Sequence, residues 1–195
     1  LKTISRKILK GTYHFTNYSQ LLISKGVEKL PRELCVPTVR DKLVLKALSH
    51  VLEDVFGDEC IAPQPQKVVD EISNAIRSKR YKRFVKLDVR RFYASIDHTI
   101  LIKLIRAKIR KKEILSLIDS VVTTPSVPFG QRCRMRRNRG VPEGPPVSNC
   151  LANLYLRKID HLFDERDDIV IFRYVDDILL LGTDQSIIDA EALVK

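Results

Sequence analysis

Residues Tyr174-Val175-Asp176-Asp177 set two adjacent carboxylates between two apolar runs, Ile169 to Phe172 and Ile178 to Leu181. Both runs favour strand, and a short acidic break between such runs reads as a buried β-hairpin with the acids at its bend. In a straight strand neighbouring side chains point to opposite faces; at a turn both can reach one pocket. Two carboxylates about 4 Å apart repel by roughly 4 kcal/mol at an effective dielectric near 20, a cost that a divalent cation reverses. Asp pairs are also ordinary turn formers, so the metal reading requires a third acid from elsewhere in the chain.

Asp88 is that acid. The run Arg83-Phe84-Val85-Lys86-Leu87-Asp88-Val89 has strand composition and places Asp88 near its C-terminal end. Strands laid side by side would bring Asp88, Asp176 and Asp177 to one edge. In a chain with a formal net charge of +11, three acids converging on one edge suit two divalent ions, about 3.5 to 4 Å apart, for phosphoryl transfer. The positive charge itself makes a polyanionic partner the first expectation.

The remaining pattern is mixed helix and strand. Residues up to about Leu30 are basic, with Tyr13, Phe15 and Tyr18 interleaved; this suits either a nucleic-acid-facing lobe or a solvated surface over core aromatics. Pro31 and Pro37 bracket an extended segment. A helix follows with Val44, Leu48, Val51, Leu52 and Val55 on one stripe, capped by Thr38 or Asp41 and ended by Gly57. Helices are also expected from about Gln66 to Ser78, from an Asp97 cap to about Lys112, from Ile114 to Val122, from Ser148 to near Asp164, and from Asp184 onward. Between Val127 and Gly140, Arg132, Arg134 and Arg136 alternate with Cys133 and Met135; as a strand this segment would turn three guanidinium groups to one face, suited to phosphates. Arg137 and Arg139 extend the patch. Gly140 to Pro146 can be neither helix nor central strand.

The cysteines, Cys35, Cys60, Cys133 and Cys150, form no CxxC pair and read as free thiols. His14, His50, His98 and His161 have no metal-ligand spacing. No window reaches about 18 apolar residues and no signal-peptide pattern opens the chain, so a soluble cytoplasmic protein with no membrane partner is expected. Leu1 in place of an initiator Met, and an end within a helical pattern, suggest a piece of a longer polypeptide. Oligomeric state is not legible.

Four segments, in order, resemble the reverse transcriptase family, and most closely its prokaryotic branches: group II intron maturases, retrons and phage-defence polymerases. Arg32-Glu33-Leu34-Cys35-Val36-Pro37-Thr38-Val39-Arg40-Asp41-Lys42-Leu43-Val44 is similar to a fingers segment of the form RxLxIPTxxDRxV. Lys86 to His98 resembles the first catalytic motif, and Gly140 to Leu156 the GxPQGxxxSxxLxNxYL loop and helix. Tyr174-Val175-Asp176-Asp177 matches the catalytic turn.

The resemblance implies an α+β right-hand polymerase fold, with an antiparallel-sheet palm backed by helices and a mostly helical fingers lobe. The fingers would take residues 1–80 and the Arg-rich hairpin and loop, 124–146; the palm would take 81–123 and 147–195, with the thumb absent. It implies RNA-directed DNA synthesis with dNTP, an RNA template, and a DNA or RNA primer, and it leaves room for a structured non-coding RNA. The cofactor would be two magnesium ions, with manganese as a substitute. Asp88, Asp176 and the Val89 carbonyl would hold them, Asp177 being the less direct ligand. Arg32, with Lys29 or Lys25, would contact the triphosphate, a fork matched to phosphate geometry. Phe92, Tyr93, Glu143 and Gly144 would line the nucleotide, with Tyr93 beneath the sugar, where a ring disfavours a 2′-hydroxyl. Tyr174 and the arginines from Arg132 to Arg139 would face nucleic acid.

Glu143 departs from the family, standing where a Gln is usual. An amide that donates and accepts becomes an acceptor only, which repels phosphates or recruits an arginine, with Arg132 to Arg139 the nearest in sequence. Template-independent or protein-primed synthesis, and a catalytically silent RNA-binding scaffold, are the alternatives that the sequence leaves open.

Overall fold

The computed structural model describes residues 2–28 and 30–194. They divide into two compact units, one of Leu1–Cys60 with Arg91–Tyr155 and one of Ile61–Arg90 with Leu156–Lys195.

The first unit begins with α1 (Lys2–Leu9), followed by β1 (Tyr18–Ile23), β2 (Arg32–Val36) and α2 (Val39–Phe56). β1 pairs antiparallel with β2, from Ser19↔Val36 to Ile23↔Arg32, and parallel with a short β4 (Ser126–Val127). The α2 helix starts where Thr38 Oγ1 accepts from the Asp41 amide at 3.2 Å and stops at Gly57, whose φ is +57°. Val44, Leu45, Leu48, Leu52 and Phe56 bury one face of α2, whereas Val51 and Val55 from the expected stripe stay exposed.

Asp41 is fully buried on that same helix. Burial alone favours its neutral form. Hydrogen bonds from Tyr13 Oη (2.5 Å), the Thr16 amide (3.0 Å), Thr38 Oγ1 (2.8 Å) and Arg40 (2.9 Å) outweigh burial and hold the carboxyl below its usual range. Tyr13 and Tyr18 are therefore core residues, 6% and 0% exposed. Of the two readings of the basic, aromatic N-terminal stretch, the core one applies to these rings.

Three further elements of this unit are short. The α4 turn (Phe92–Ser95) leads to α5 (His98–Arg106) and α6 (Lys112–Thr123). Asp97 caps α5 as expected, its Oδ1 accepting from the Thr99 and Ile100 amides at 2.9 and 3.2 Å. The helix ends at Arg106 rather than near Lys112, because Arg106 with Arg110 and Lys108 with Lys112 would stack like charges at i,i+4 spacing. Lys108 instead reaches Glu59 at 2.9 Å.

Two expectations need correction. Residues between Val127 and Gly140 form no strand beyond Val127, so the alternating arginine face does not exist. Two of their backbone groups bond elsewhere: Asn17 donates to the Cys133 carbonyl and the Arg137 amide to the Thr123 carbonyl, each at 2.8 Å. Cys60 and Cys150 are not free thiols; they are disulfide-paired, with Cα atoms 4.4 Å apart, within the distance such a bond needs. Their separation of 90 residues in sequence hid the pair.

The second unit contains α3 (Pro65–Arg77), β3 (Arg83–Asp88), β5 (Ile169–Tyr174), β6 (Asp177–Gly182) and α8 (Asp184–Val194). Its antiparallel sheet has the order β3-β6-β5. Alternation gives that sheet a covered face and an open one. Ile169, Ile178 and Leu180 join Phe163, Ile187 and Ala190 in the core, with Val85, Leu87 and Val89 against it. Phe84, Lys86 and Asp88 stand on the opposite face of β3 and are exposed. The α7 helix (Ser148–Asp160) contributes its first eight residues, 148–155, to the first unit and its end to the second.

Candidate active site

The acids stand at one end of the second unit's sheet. Asp88 is the last residue of β3 and pairs directly with Asp177, the first residue of β6; Tyr174 pairs with Asp177 on its other side. Directly opposed residues share a face at about 5 Å between Cβ atoms, where like charges are destabilising. Val175 and Asp176 form the two-residue turn between β5 and β6.

Val175 has a φ of +57°. A β-branched residue there is a true outlier, with a cost of about 1–3 kcal/mol that is typical of functional turns. Arg173 anchors this turn from beneath. Its guanidinium donates to the Val175 carbonyl at 2.9 Å and forks onto Asp160 at 2.5 and 2.6 Å.

Lys86, two residues before Asp88, bonds Asp177 Oδ1 at 2.9 Å. This hydrogen bond, with the nearby Asp88 charge assisting, holds the Lys86 ammonium above its ordinary range. A resident cation thus offsets part of the repulsion between the acids. Among the described residues, no group of three or more His, Cys, Asp or Glu side chains converges tightly enough to hold a metal. Asp88 and Asp177, opposed across the ladder, supply hard carboxylate oxygens, the donor type that suits magnesium or manganese. In donor chemistry, though not in convergence, these residues fit such an ion.

Arg32, Phe92, Tyr93, Glu143, Gly144 and the arginines of residues 132–139 lie in the first unit. Arg32 opens β2, and both its Nε, at 2.6 Å, and its terminal nitrogen bond Glu143 Oε1. Glu143 therefore recruits Arg32 rather than an arginine from the 132–139 segment. Gly144, at φ +115°, lets the loop lie against β2: a Cβ there would meet the Cys35 carbonyl oxygen at 3.0 Å, and the Cys35 amide donates to the Glu143 carbonyl at 2.6 Å. Phe92 is buried. Tyr93 is half-buried, and its hydroxyl donates to Asn149 Oδ1 at 2.8 Å. Arg136 is tied to Asp119 at 2.5 Å, and Arg137 reaches Cys35 Sγ at 3.8 Å; Arg132, Arg134 and Arg139 belong to the same irregular segment. Tyr174 is 39% exposed. Lys29 lies outside the described residues.

Lys86, Asn149, Arg173 and Asp160 are the neighbours that sequence reading missed. Lys86 had a signal, since alternation puts it on the Asp88 face, and Arg173 lies two residues from Val175; Asn149 and Asp160 depend on packing between separate elements.

Comparison with known proteins bears on both fold and family. A telomerase from Candida albicans in complex with a fragment of telomeric RNA aligns with 99% of this chain and 42% of its own, at a TM-score of 0.66 and 16% identity. A partial Cas6-RT-Cas1–Cas2 complex aligns with 93% of this chain and 32% of its own, at 0.50 and 21%. These likenesses show the fold, an α+β right-hand polymerase. The group II intron-encoded protein LtrA of Lactococcus lactis subsp. cremoris is 30% identical over 166 residues, covering 82% of this chain and 27% of that protein. Protein YkfC of Escherichia coli strain K12 is 22% identical over 177 residues, covering 85% and 46%. The family model described as reverse transcriptase (RNA-dependent DNA polymerase) matches residues 23–194. The chain belongs to the reverse transcriptase family, and it spans less than half the length of these two relatives.

Proposed function

We propose that the chain carries the catalytic acids of an RNA-directed DNA polymerase that adds dNTP to a primer 3′ end. The observation that carries this reading is the opposition of Asp88 and Asp177 beside a strained acidic turn. Asp88, Asp177 and Asp176, with the Val89 carbonyl, would hold two divalent ions, magnesium or in its place manganese. Bound there, the ions supply charge stabilisation at the transferring phosphate and at the attacking and leaving oxygens. Arg32 grips the triphosphate through its planar fork, and Tyr93 excludes a 2′-hydroxyl beneath the sugar. In this reading the acid-bearing sheet is palm, and β1, β2 and the 124–146 loop are fingers.

The arginines of residues 132–139 would contact template or primer phosphates and position rather than specify the nucleic acid. A net charge of +11 supports a polyanionic partner. Among the described residues no helix is long and apolar enough to cross a membrane.

The test is primer extension by the full-length gene product on an RNA template, on a DNA template and with none, comparing dNTP with rNTP. RNA-templated dNTP incorporation supports the proposal. Incorporation without any template makes the enzyme a terminal-transferase-like relative. No incorporation alongside tight RNA binding makes it a scaffold.

A further inference from the structure

Glu143 and Arg32 come from segments 111 residues apart, yet the backbone fixes them as a unit. The Gly140 amide donates to the Ile96 carbonyl at 2.8 Å and the Val141 amide to Tyr93 at 2.7 Å, which pins the start of the loop. The Cys35–Glu143 backbone bond pins its middle to the strand that carries Arg32. Gly140 and Gly144 both hold positive φ in places where a Cβ would collide with backbone. The loop thus has little freedom to carry Glu143 elsewhere. The Arg32 side chain remains 50% exposed, while Glu143 is 21% exposed.

A guanidinium fork is shaped for a carboxylate and for a phosphate alike. We propose that Glu143 is a built-in competitor for the nucleotide: its carboxylate occupies Arg32 when no nucleotide is bound, and each triphosphate must displace it. This rests on the reading of Arg32 as a triphosphate ligand. A Gln at position 143 would accept more weakly and carry no charge, so Arg32 would be released at lower cost. Glu143 is accordingly a positioning residue that acts through Arg32. It raises the threshold for nucleotide binding and favours highly charged triphosphates over less charged anions. Partly exposed ion pairs reach about 1 kcal/mol, so the competition is worth about fivefold in nucleotide affinity.

The test uses the full-length gene product on an RNA template. KM and kcat for one dNTP are measured for the wild type, Glu143→Gln, Arg32→Ala and the double variant. The equilibrium affinity of the same dNTP is measured on a dideoxy-terminated primer, where no chemistry follows. Glu143→Gln should tighten dNTP binding and lower KM about fivefold, with the change falling on KM rather than kcat. The effect should vanish in the Arg32→Ala background. A KM that rises in Glu143→Gln, or a gain that persists without Arg32, overturns the competitor role. A wild type that incorporates nucleotide while Arg32→Ala leaves KM unchanged refutes the assignment of Arg32 itself, and a wild type with no incorporation refutes the polymerase reading.

Discussion

Arg173 is the residue whose loss should damage the acidic turn most without touching an acid on it. Its guanidinium makes two bonds to Asp160 and one to the Val175 carbonyl, and its side chain is only 10% exposed. Breaking a fully buried pair costs about 3–5 kcal/mol, chiefly because one charge is left without a partner. The Asp160 side chain is 33% exposed, so water recovers part of the loss and the cost of Arg173→Met falls to about 2–3 kcal/mol. Arg173→Lys keeps the charge but not the fork, and should cost about 1–2 kcal/mol. With a urea m-value of about 2 kcal/mol/M, Arg173→Met should lower the unfolding midpoint by about 1 M. The Val175 carbonyl also loses its anchor, so primer extension should fall by more than the folded fraction does. Urea titration of the two variants, of Asp160→Asn and of Arg173→Met/Asp160→Asn tests this. A midpoint within about 0.2 M of wild type, or a double variant whose loss is the plain sum of the singles, would rule out this role for the Arg173–Asp160 pair.

Other consequences follow from the same geometry. Asp41 has a folded pKa below the ordinary carboxylate value, so its contribution to stability is present above about pH 4 and is lost as pH falls through the folded value. Asp41→Asn should cost about 2 kcal/mol at pH 7, and thermal melts should show the gap to wild type closing below about pH 4. Tyr93→Ala should raise rNTP use relative to dNTP by about tenfold or more, equivalent to about 1.4 kcal/mol. Asn149→Ala should shift the same ratio in the same direction by less, and not at all once Tyr93 is Phe; single-nucleotide kinetics read both. Replacing Arg134 by Gln should flatten the salt dependence of RNA binding by about one unit of slope, measured by anisotropy between low and physiological salt.

The parts legible in the sequence were those set by local pattern. Alternation and β-branching located β3 and the β5–β6 hairpin, and Thr38, Gly57 and Asp97 marked helix ends through capping chemistry. Asp88 could be brought to the acidic turn because both sit at strand ends. What failed depended on distant partners. Nothing local says that Cys60 meets Cys150, or that Glu143 meets Arg32 instead of an arginine nearby in sequence. The 127–140 segment alternates as a strand would, yet Asn17 binds its Cys133 carbonyl and Thr123 its Arg137 amide. The α3 stripe is a milder case: Val69 and Ile76 fit the helical period but stay 53% and 59% exposed.

Incorporation of a single dNTP on an RNA template, titrated with magnesium and compared between wild type, Asp88→Asn and Asp176→Asn, decides whether these acids hold the catalytic ions. Incorporation should require the divalent ion and fall by about a thousandfold or more, equivalent to about 4 kcal/mol, in either variant while both remain folded and bind RNA. Magnesium-independent incorporation, or an Asp88→Asn variant that retains wild-type rate, would contradict that role.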